Sequence, residues 1–406
     1  NIISSYPAQE VFIQRNWLSE GIYKDIFDAF THAPRLKVNI ADSAQSFTPM
    51  LTGHINWIAS SQPNYWYLAI RFPKTNVVYT ADFWVDTSDV ARMSKKIETL
   101  LLERHLKNGD ELFGLLQAQR FNTAPVTAEL VLPMFMLPYY EGFNRYDDKL
   151  WLGIYRRNEK FAIEFLQDVC ALCLQTRVGL ICATSWKSVI IKNIKHDDRH
   201  HWDALLAKHQ INVRHAANEL NFQIEDQAPD ALMLKNEIVQ HLSQTDTRTF
   251  GVCIGIKTLA AGEVFCSILI AQRDEKWLGF LTRQVYDILL AEDFNPNKRT
   301  GEVFARGIAR RDLAGNLRGA ILQYYANRKT LAAPVVDAAL TAHEGEQRSM
   351  AQCPNCLTVY DEVVGRPDLG IPAQTSFAML PSIYKCECCE TPKSQFVVVD
   401  AATLFV

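Results

Sequence analysis

The strongest constraint on this chain is a pair of cysteine knuckles near its C-terminus, Cys353-Pro-Asn-Cys356 and Cys386-Glu-Cys-Cys389. Each Cys-x-x-Cys offers two thiolates to one ion. Two such knuckles close a tetrahedral S4 site, a geometry that suits zinc or iron–sulfur chemistry. Five of the ten cysteines lie between Cys353 and Cys389, and none precedes Cys170. Ten in 406 residues are too sparse for a disulfide-stapled secreted scaffold, and their clustering points to a metal before disulfides. The candidate metal ligands are Cys353, Cys356, Cys386 and Cys389. Cys388 sits inside the second knuckle, where geometry disfavours it as a ligand.

A chain of 406 residues has room for two or three domains of ~150 residues. With 48% hydrophobic and 21% charged residues it reads as a folded protein rather than a disordered or fibrous one. The net charge of −3 supplies no global basic field to recruit nucleic acid or an anionic membrane. The best apolar run, Leu130–Leu137, stops at Pro138, short of the ~18 residues a membrane span needs, so no membrane insertion is expected. A cytoplasmic location is the expectation. The first residue is Asn1 rather than methionine, which leaves a trimmed start and a lost targeting signal open.

Periodicity predicts a mixed α+β body. Residues 1–137 read as an N-terminal α+β region. It has a helix over Trp17–Phe30, strands over Trp66–Phe72 and Val77–Val85, a helix over Asp89–His105 and another from Gly109 to about Arg120. Within 138–330, a strand at Leu150–Tyr155 is followed by a helix at Glu159–Leu174 and strands at Val178–Thr184 and Ser188–Lys192. A helix to about Lys208 and a strand at Ile211–His215 follow. That order fits a split βαβ unit with two helices on one face of an antiparallel sheet. Further on come a helix at Leu232–Leu242, strands at Phe250–Lys257, Val264–Ala271 and Val285–Leu290, and an amphipathic helix at Arg311–Arg328. Residues 331–352 read as a linker, and 353–406 as a compact closing unit.

Residues 353–398 resemble rubredoxin. The carriers are the first knuckle with Val359-Tyr360-Asp361, then Gly365, Asp368, Gly370-Ile371-Pro372, Thr375, Phe377 and Leu380-Pro381. The second knuckle, Pro392-Lys393 and Phe396 complete the match. The resemblance implies one iron in an Fe(Cys)4 site that cycles between ferric and ferrous states and carries one electron between redox donor and acceptor proteins. It also implies a small aromatic core of Tyr360, Phe377, Tyr384 and Phe396. Leu357 and Glu390 stand where rubredoxins usually have glycine, which leaves the potential open. A structural zinc ribbon is the alternative.

Residues 138–330 are similar to the ferredoxin-like half-domain and cofactor domain of the siroheme nitrite and sulfite reductases. The carriers are Leu137-Pro-Tyr-Tyr-Glu-Gly-Phe143, the Glu159–Leu174 helix, Thr184–Ile194 against the family's Thr-Thr-Arg-Gln strand, and Thr247–Cys253 against its Arg-Lys-Phe-Lys strand. The chemistry does not carry over. Trp186, beside Lys187, stands at the family's arginine, Thr249 and Gly251 stand at its lysine pair, and no cysteine lies between Cys182 and Cys253. Siroheme and a [4Fe–4S] cluster are therefore expected to be absent. The whole chain is expected to be a ferredoxin-like, sulfite-reductase-like α+β body with a small C-terminal rubredoxin-like iron-binding domain. It reads as a redox carrier, or else as an oxidoreductase whose body binds a further cofactor.

Other candidates have ordinary readings. Cys170, Cys173 and Cys182 read as core packing. His196, His200 and His201 read as a solvated helix start. Lys298, Arg299, Arg306, Arg310 and Arg311 read as solvated surface. No Gly-x-Gly-x-x-Gly, Walker A or Gly-x-Ser-x-Gly motif is present.

Overall fold

The computed structural model describes residues 1–13, 17–72, 77–104, 106, 108–146, 148–226, 228–259, 264–277, 281–298, 300–331, 349–355, 358–362, 365–366, 371–372, 374–386, 389 and 391–400. The chain divides into two compact units, Asn1–Arg328 and Lys329–Val406.

The first unit holds three sheets. The first sheet is built from β1 (Ile2–Ser4), β2 (Val38–Ala41), β3 (Ile55–Ala59), β4 (Tyr65–Arg71), β5 (Val78–Thr80), β6 (Phe83–Asp86) and β7 (Thr123–Pro125), in the order β1-β2-β3-β4-β6-β7 with β5 also on β4. Helices α1 (Glu20–Ala29), α2 (Val90–Glu103) and α3 (Gly109–Gln117) join it, and Trp57, Trp66, Leu68, Met93, Ile97 and Leu112 share its core. The predicted Val77–Val85 strand is two strands. The β4 register steps between the β5 and β6 pairings, which breaks the run at Ala81-Asp82. On this sheet the Lys37 N–H donates to His54 Nδ1 (3.1 Å). Burial, then the charges of Arg71 and Lys37, push the His54 pKa from 6.5 down to about 4. Between those values the unfolded chain takes up a proton that the folded one refuses. Stability is therefore full above pH 6.5 and falls as pH drops toward 4. His54→Gln, which keeps an acceptor without titrating, is expected to flatten this slope in urea unfolding. An unchanged slope would assign it to other groups.

The second sheet contains β8 (Gly142–Tyr146), β9 (Lys149–Ile154), β10 (Leu180–Ala183) and β11 (Val189–Ile194) in the antiparallel order β10-β11-β9-β8. Helices α4 (Ile163–Thr176) and α5 (Arg199–Lys208) share a core with it through Phe165, Val169, Leu172, Trp202 and Leu205. The count of four strands and two helices is as expected, but their order along the chain is β8-β9-α4-β10-β11-α5 rather than the expected strand–helix–strand–strand–helix–strand, because the strand at Ile211–His215 is not formed. Gln210 and Arg214 have positive φ (52° and 69°), which breaks an extended run. Arg214 instead donates to the Phe143 carbonyl. The fourth strand is β8, where the sequence reading placed no strand. Helix α4 starts later than expected because Glu159 has φ +56°. Gly153 is obligatory here, because a Cβ would lie 1.9 Å from the Tyr140 carbonyl oxygen.

The third sheet contains β12 (Phe222–Ile224), β13 (Ile254–Lys257), β14 (Ile268–Trp277), β15 (Leu281–Ala291) and β16 (Thr300–Ile308), in sequence order. The first three strands are parallel and the rest antiparallel. Helices α6 (Pro229–Gln244) and α7 (Arg310–Leu331) contribute Leu234, Ile238, Leu313, Leu317 and Tyr324 to its core. β13 starts later than expected because Gly251 (φ +81°) turns the chain, with a bridge to Leu137. A further core joins Phe47, Tyr140, Trp151, Tyr155, Cys182, Trp186, Cys253 and Cys266. Lys192, on β11 and fully buried, donates to the Tyr6 and Gln9 carbonyls (3.0 and 2.8 Å) and to Glu20 Oε1 (2.7 Å). It fastens the N-terminal segment to the second sheet.

The second unit is a three-stranded antiparallel sheet of β17 (Ser349–Gln352), β18 (Val359–Tyr360) and β19 (Val397–Asp400), in the order β18-β17-β19. Ser349–Gln352 reads as linker in the sequence and is the central strand here. Its core is Ala351, Tyr360 and Leu380, with Ile371, Phe377, Tyr384 and Phe396 packed on it. The aromatic rings meet at centroid distances of 5.0 to 6.1 Å, in the range for favourable edge contacts. Gly365 has φ +62°, and a Cβ there would lie 2.2 Å from the Pro372 carbonyl oxygen. Among the described residues of the whole chain, no helix is long and apolar enough to cross a membrane.

Candidate metal centre

The two knuckles close in the same way. The Cys353 N–H donates to the Thr358 carbonyl and the Cys386 N–H donates to the Thr391 carbonyl, each at 2.8 Å. Each turn thus holds its first cysteine in place. The strand pairing Gln352↔Val359 carries the first knuckle, and the bridge Lys385↔Pro392 carries the second.

This brings together the sulfurs of Cys353, Cys386 and Cys389, all within 4.8 Å of one another. Cys353 and Cys389 Sγ are 3.5 Å apart. A tetrahedral ion with metal–sulfur bonds of ~2.3 Å needs sulfurs about 3.8 Å apart, so these three fit one ion. Cys353 and Cys386 are buried and Cys389 is exposed. Thr391 Oγ1 lies 3.0 Å from Cys389 Sγ. The fourth predicted ligand, Cys356, lies outside the described residues, as do Cys388, Leu357 and Glu390. Among the described residues, no other group of His, Cys, Asp and Glu gathers in this way.

The remaining candidates are dispersed. Cys173 and Cys182 are buried, and burial pushes both thiols up to about 11. Cys253 and Cys266 are buried and raised for the same reason. These four are packing residues. Cys170 is exposed on α4 and departs from that reading. His200 Nδ1 contacts the Asp197 carbonyl (2.7 Å) and its ring lies 3.8 Å from that of His201. Lys298 pairs with Glu292 and Asp293, and Arg310 with Glu237. Arg306 and Arg311 are exposed, and Arg299 lies outside the described residues.

In the body, Trp186 is buried and its Nε1 donates to the Phe47 carbonyl (2.7 Å). Lys187 pairs with Glu159 (3.1 Å) and Asp226 (3.3 Å). Thr249 is buried near Asn218. The sequence reading missed Lys235, a fully buried lysine on the apolar face of α6 that shares Glu159 with Lys187 (2.9 Å). A lysine next to Leu234 in a helical stripe was its only local signal.

These features define a small β-sheet unit in which cysteines from two knuckles, Cys353 with Cys386 and Cys389, are placed to hold one metal ion. The rubredoxin family profile matches residues 350–396. Over 53 residues the chain is 40% identical to Rubredoxin-2 of Alcanivorax borkumensis, which is 13% of this chain and 30% of that protein. It is 38% identical over 52 residues to the rubredoxin of Azotobacter vinelandii, covering 72% of it. It is 37% identical over 51 residues to Rubredoxin-2 of Pseudomonas aeruginosa, covering 93% of it. Through this unit the chain belongs to the rubredoxin family, which implies iron held by cysteine sulfurs. The fold of the chain is similar to that of the NirA protein of Mycobacterium tuberculosis, with TM-score 0.57 and 13% identity over 80% of this chain and 67% of that one. That likeness is one of fold, and it agrees with the reductase-like body read from the sequence.

Proposed function

We propose that this chain is an electron carrier. A single iron, bound by Cys353, Cys356, Cys386 and Cys389, would take one electron from a donor protein and give it to an acceptor protein. The carrying observation is the convergence of the Cys353, Cys386 and Cys389 sulfurs within a rubredoxin unit. When bound, the iron supplies a one-electron ferric/ferrous couple. The protein's part is to hold the sulfurs, with Cys353 and Cys386 buried in the unit and Cys389 on an exposed residue. In this reading the body carries neither siroheme nor a [4Fe–4S] cluster. Supporting that are the buried Trp186 and Thr249 at the positions that resemble the family's anion-binding cations. Combined metal analysis and visible spectroscopy test the proposal. The expected result is one iron per chain and a red colour that bleaches on reduction. A colourless protein with one zinc would overturn it in favour of a structural zinc ribbon.

A second reading makes the body an oxidoreductase with the rubredoxin unit as its electron source. It is favoured by a cleft of about 300 Å³ lined by Tyr155, Arg156, Arg157, Asn158, Lys160 and His215, suited to a small anion. Extraction of a second chromophore would support it. A spectrum fully accounted for by one FeS4 centre would count against it.

A further inference from the structure

We propose that Asn355 and Thr391 form a directional hydrogen-bond relay that aims a hydroxyl proton at Cys389 Sγ and raises the reduction potential of the centre. The inference rests on the iron-binding reading above and concerns residues that are not ligands. Asn355 Nδ2 donates to Thr391 Oγ1 at 2.8 Å, and Thr391 Oγ1 lies 3.0 Å from Cys389 Sγ. The amide N–H can only donate, so it occupies a lone pair of the hydroxyl and leaves the hydroxyl hydrogen for the sulfur. A metal-bound thiolate can only accept. The relay therefore has one sense, from amide to hydroxyl to sulfur.

Thr391 is 3% exposed, so water does not compete for its hydroxyl. Its carbonyl also accepts the Cys386 N–H at 2.8 Å. One residue thus contacts both cysteines of the second knuckle, while Asn355 reaches it from the first. Reduction adds a negative charge to the FeS4 unit. A donor to sulfur stabilises the more negative state more, which moves the potential upward.

The test is the midpoint potential of the iron-loaded full chain, measured by spectroelectrochemistry at fixed pH. Four proteins are compared: the parent, Thr391→Val, Thr391→Ser and Asn355→Leu. Loss of one neutral hydrogen bond is expected to change the reduction equilibrium about fivefold, where tenfold corresponds to ~59 mV for one electron. Thr391→Val shifts negative, Thr391→Ser stays near the parent, and Asn355→Leu shifts negative by less. An unmoved Thr391→Val potential would overturn the relay, and so would a Thr391→Ser that behaves like valine. A positive shift in Asn355→Leu would show the amide drawing the proton away from sulfur, and would overturn it too. If Thr391→Val binds no iron, the serine and Asn355→Leu proteins decide. Iron content of the parent separates the two levels. A parent without iron defeats the electron-carrier reading, whereas intact iron with unmoved potentials defeats only the relay.

Discussion

Cys386→Ser is expected to strip the iron and the colour from the protein together and to unfold its C-terminal unit. Cys386 is buried among the small core, and its N–H closes the second knuckle. Among the described residues the unit has only four buried apolar side chains, Met350, Ala351, Tyr360 and Leu380, besides the cysteines. So small a core does not sustain a fold without a staple. In small metal-folded units the ion contributes on the order of 10 kcal/mol. Iron per chain should fall from one to near zero, and the visible absorbance should vanish. Far-UV circular dichroism should change little, because the body keeps its helices. A Cys386→Ser protein that retained one iron would remove Cys386 from the ligand set.

Lys192→Met is expected to destabilise the body by ~3–5 kcal/mol, the range for breaking a buried ion pair on one side. Lys192 is fully buried, and its partner Glu20 is 19% exposed. The substitution leaves Glu20 without its lysine and strands the Tyr6 and Gln9 carbonyls that the ammonium caps. The methionine fills the space of the stem but replaces none of these bonds. The N-terminal segment should loosen first. Limited proteolysis near residues 6–20, together with a lowered urea midpoint, reads this out. A loss below about 1 kcal/mol would show that the contacts around Lys192 carry little of the stability.

The metal centre was legible because its information is local. Cys-x-x-Cys spacing forces two sulfurs onto one turn, and Tyr360, Phe377, Tyr384 and Phe396 could be named as a core because the motif around them is continuous. The helix at Glu159–Leu174 was legible from its apolar positions Phe165, Val169 and Leu172, whereas the reductase-like outline came from a family resemblance carried by short motifs. What failed depended on backbone geometry or distant partners. Nothing in the apolar alternation of Ile211–His215 announces that Gln210 and Arg214 take positive φ. Nothing near Lys192 reveals an acceptor 172 residues away. Thr391 is an ordinary polar residue until the fold places it against Cys389 and under Asn355. Ser349–Gln352 looked like linker because its strand character comes from pairing with Val397–Asp400 across the unit.

The three described cysteines of the site differ in exposure, and that difference would matter to an electron carrier. Cys353 and Cys386 are buried, whereas Cys389 is an exposed residue. For such a carrier, exchange would depend on encounter angle as well as on encounter frequency. Orientation already cuts association rates well below the diffusion limit, and a one-sided centre sharpens that selection. A partner that grips the Cys389 face would gain speed without any change in driving force.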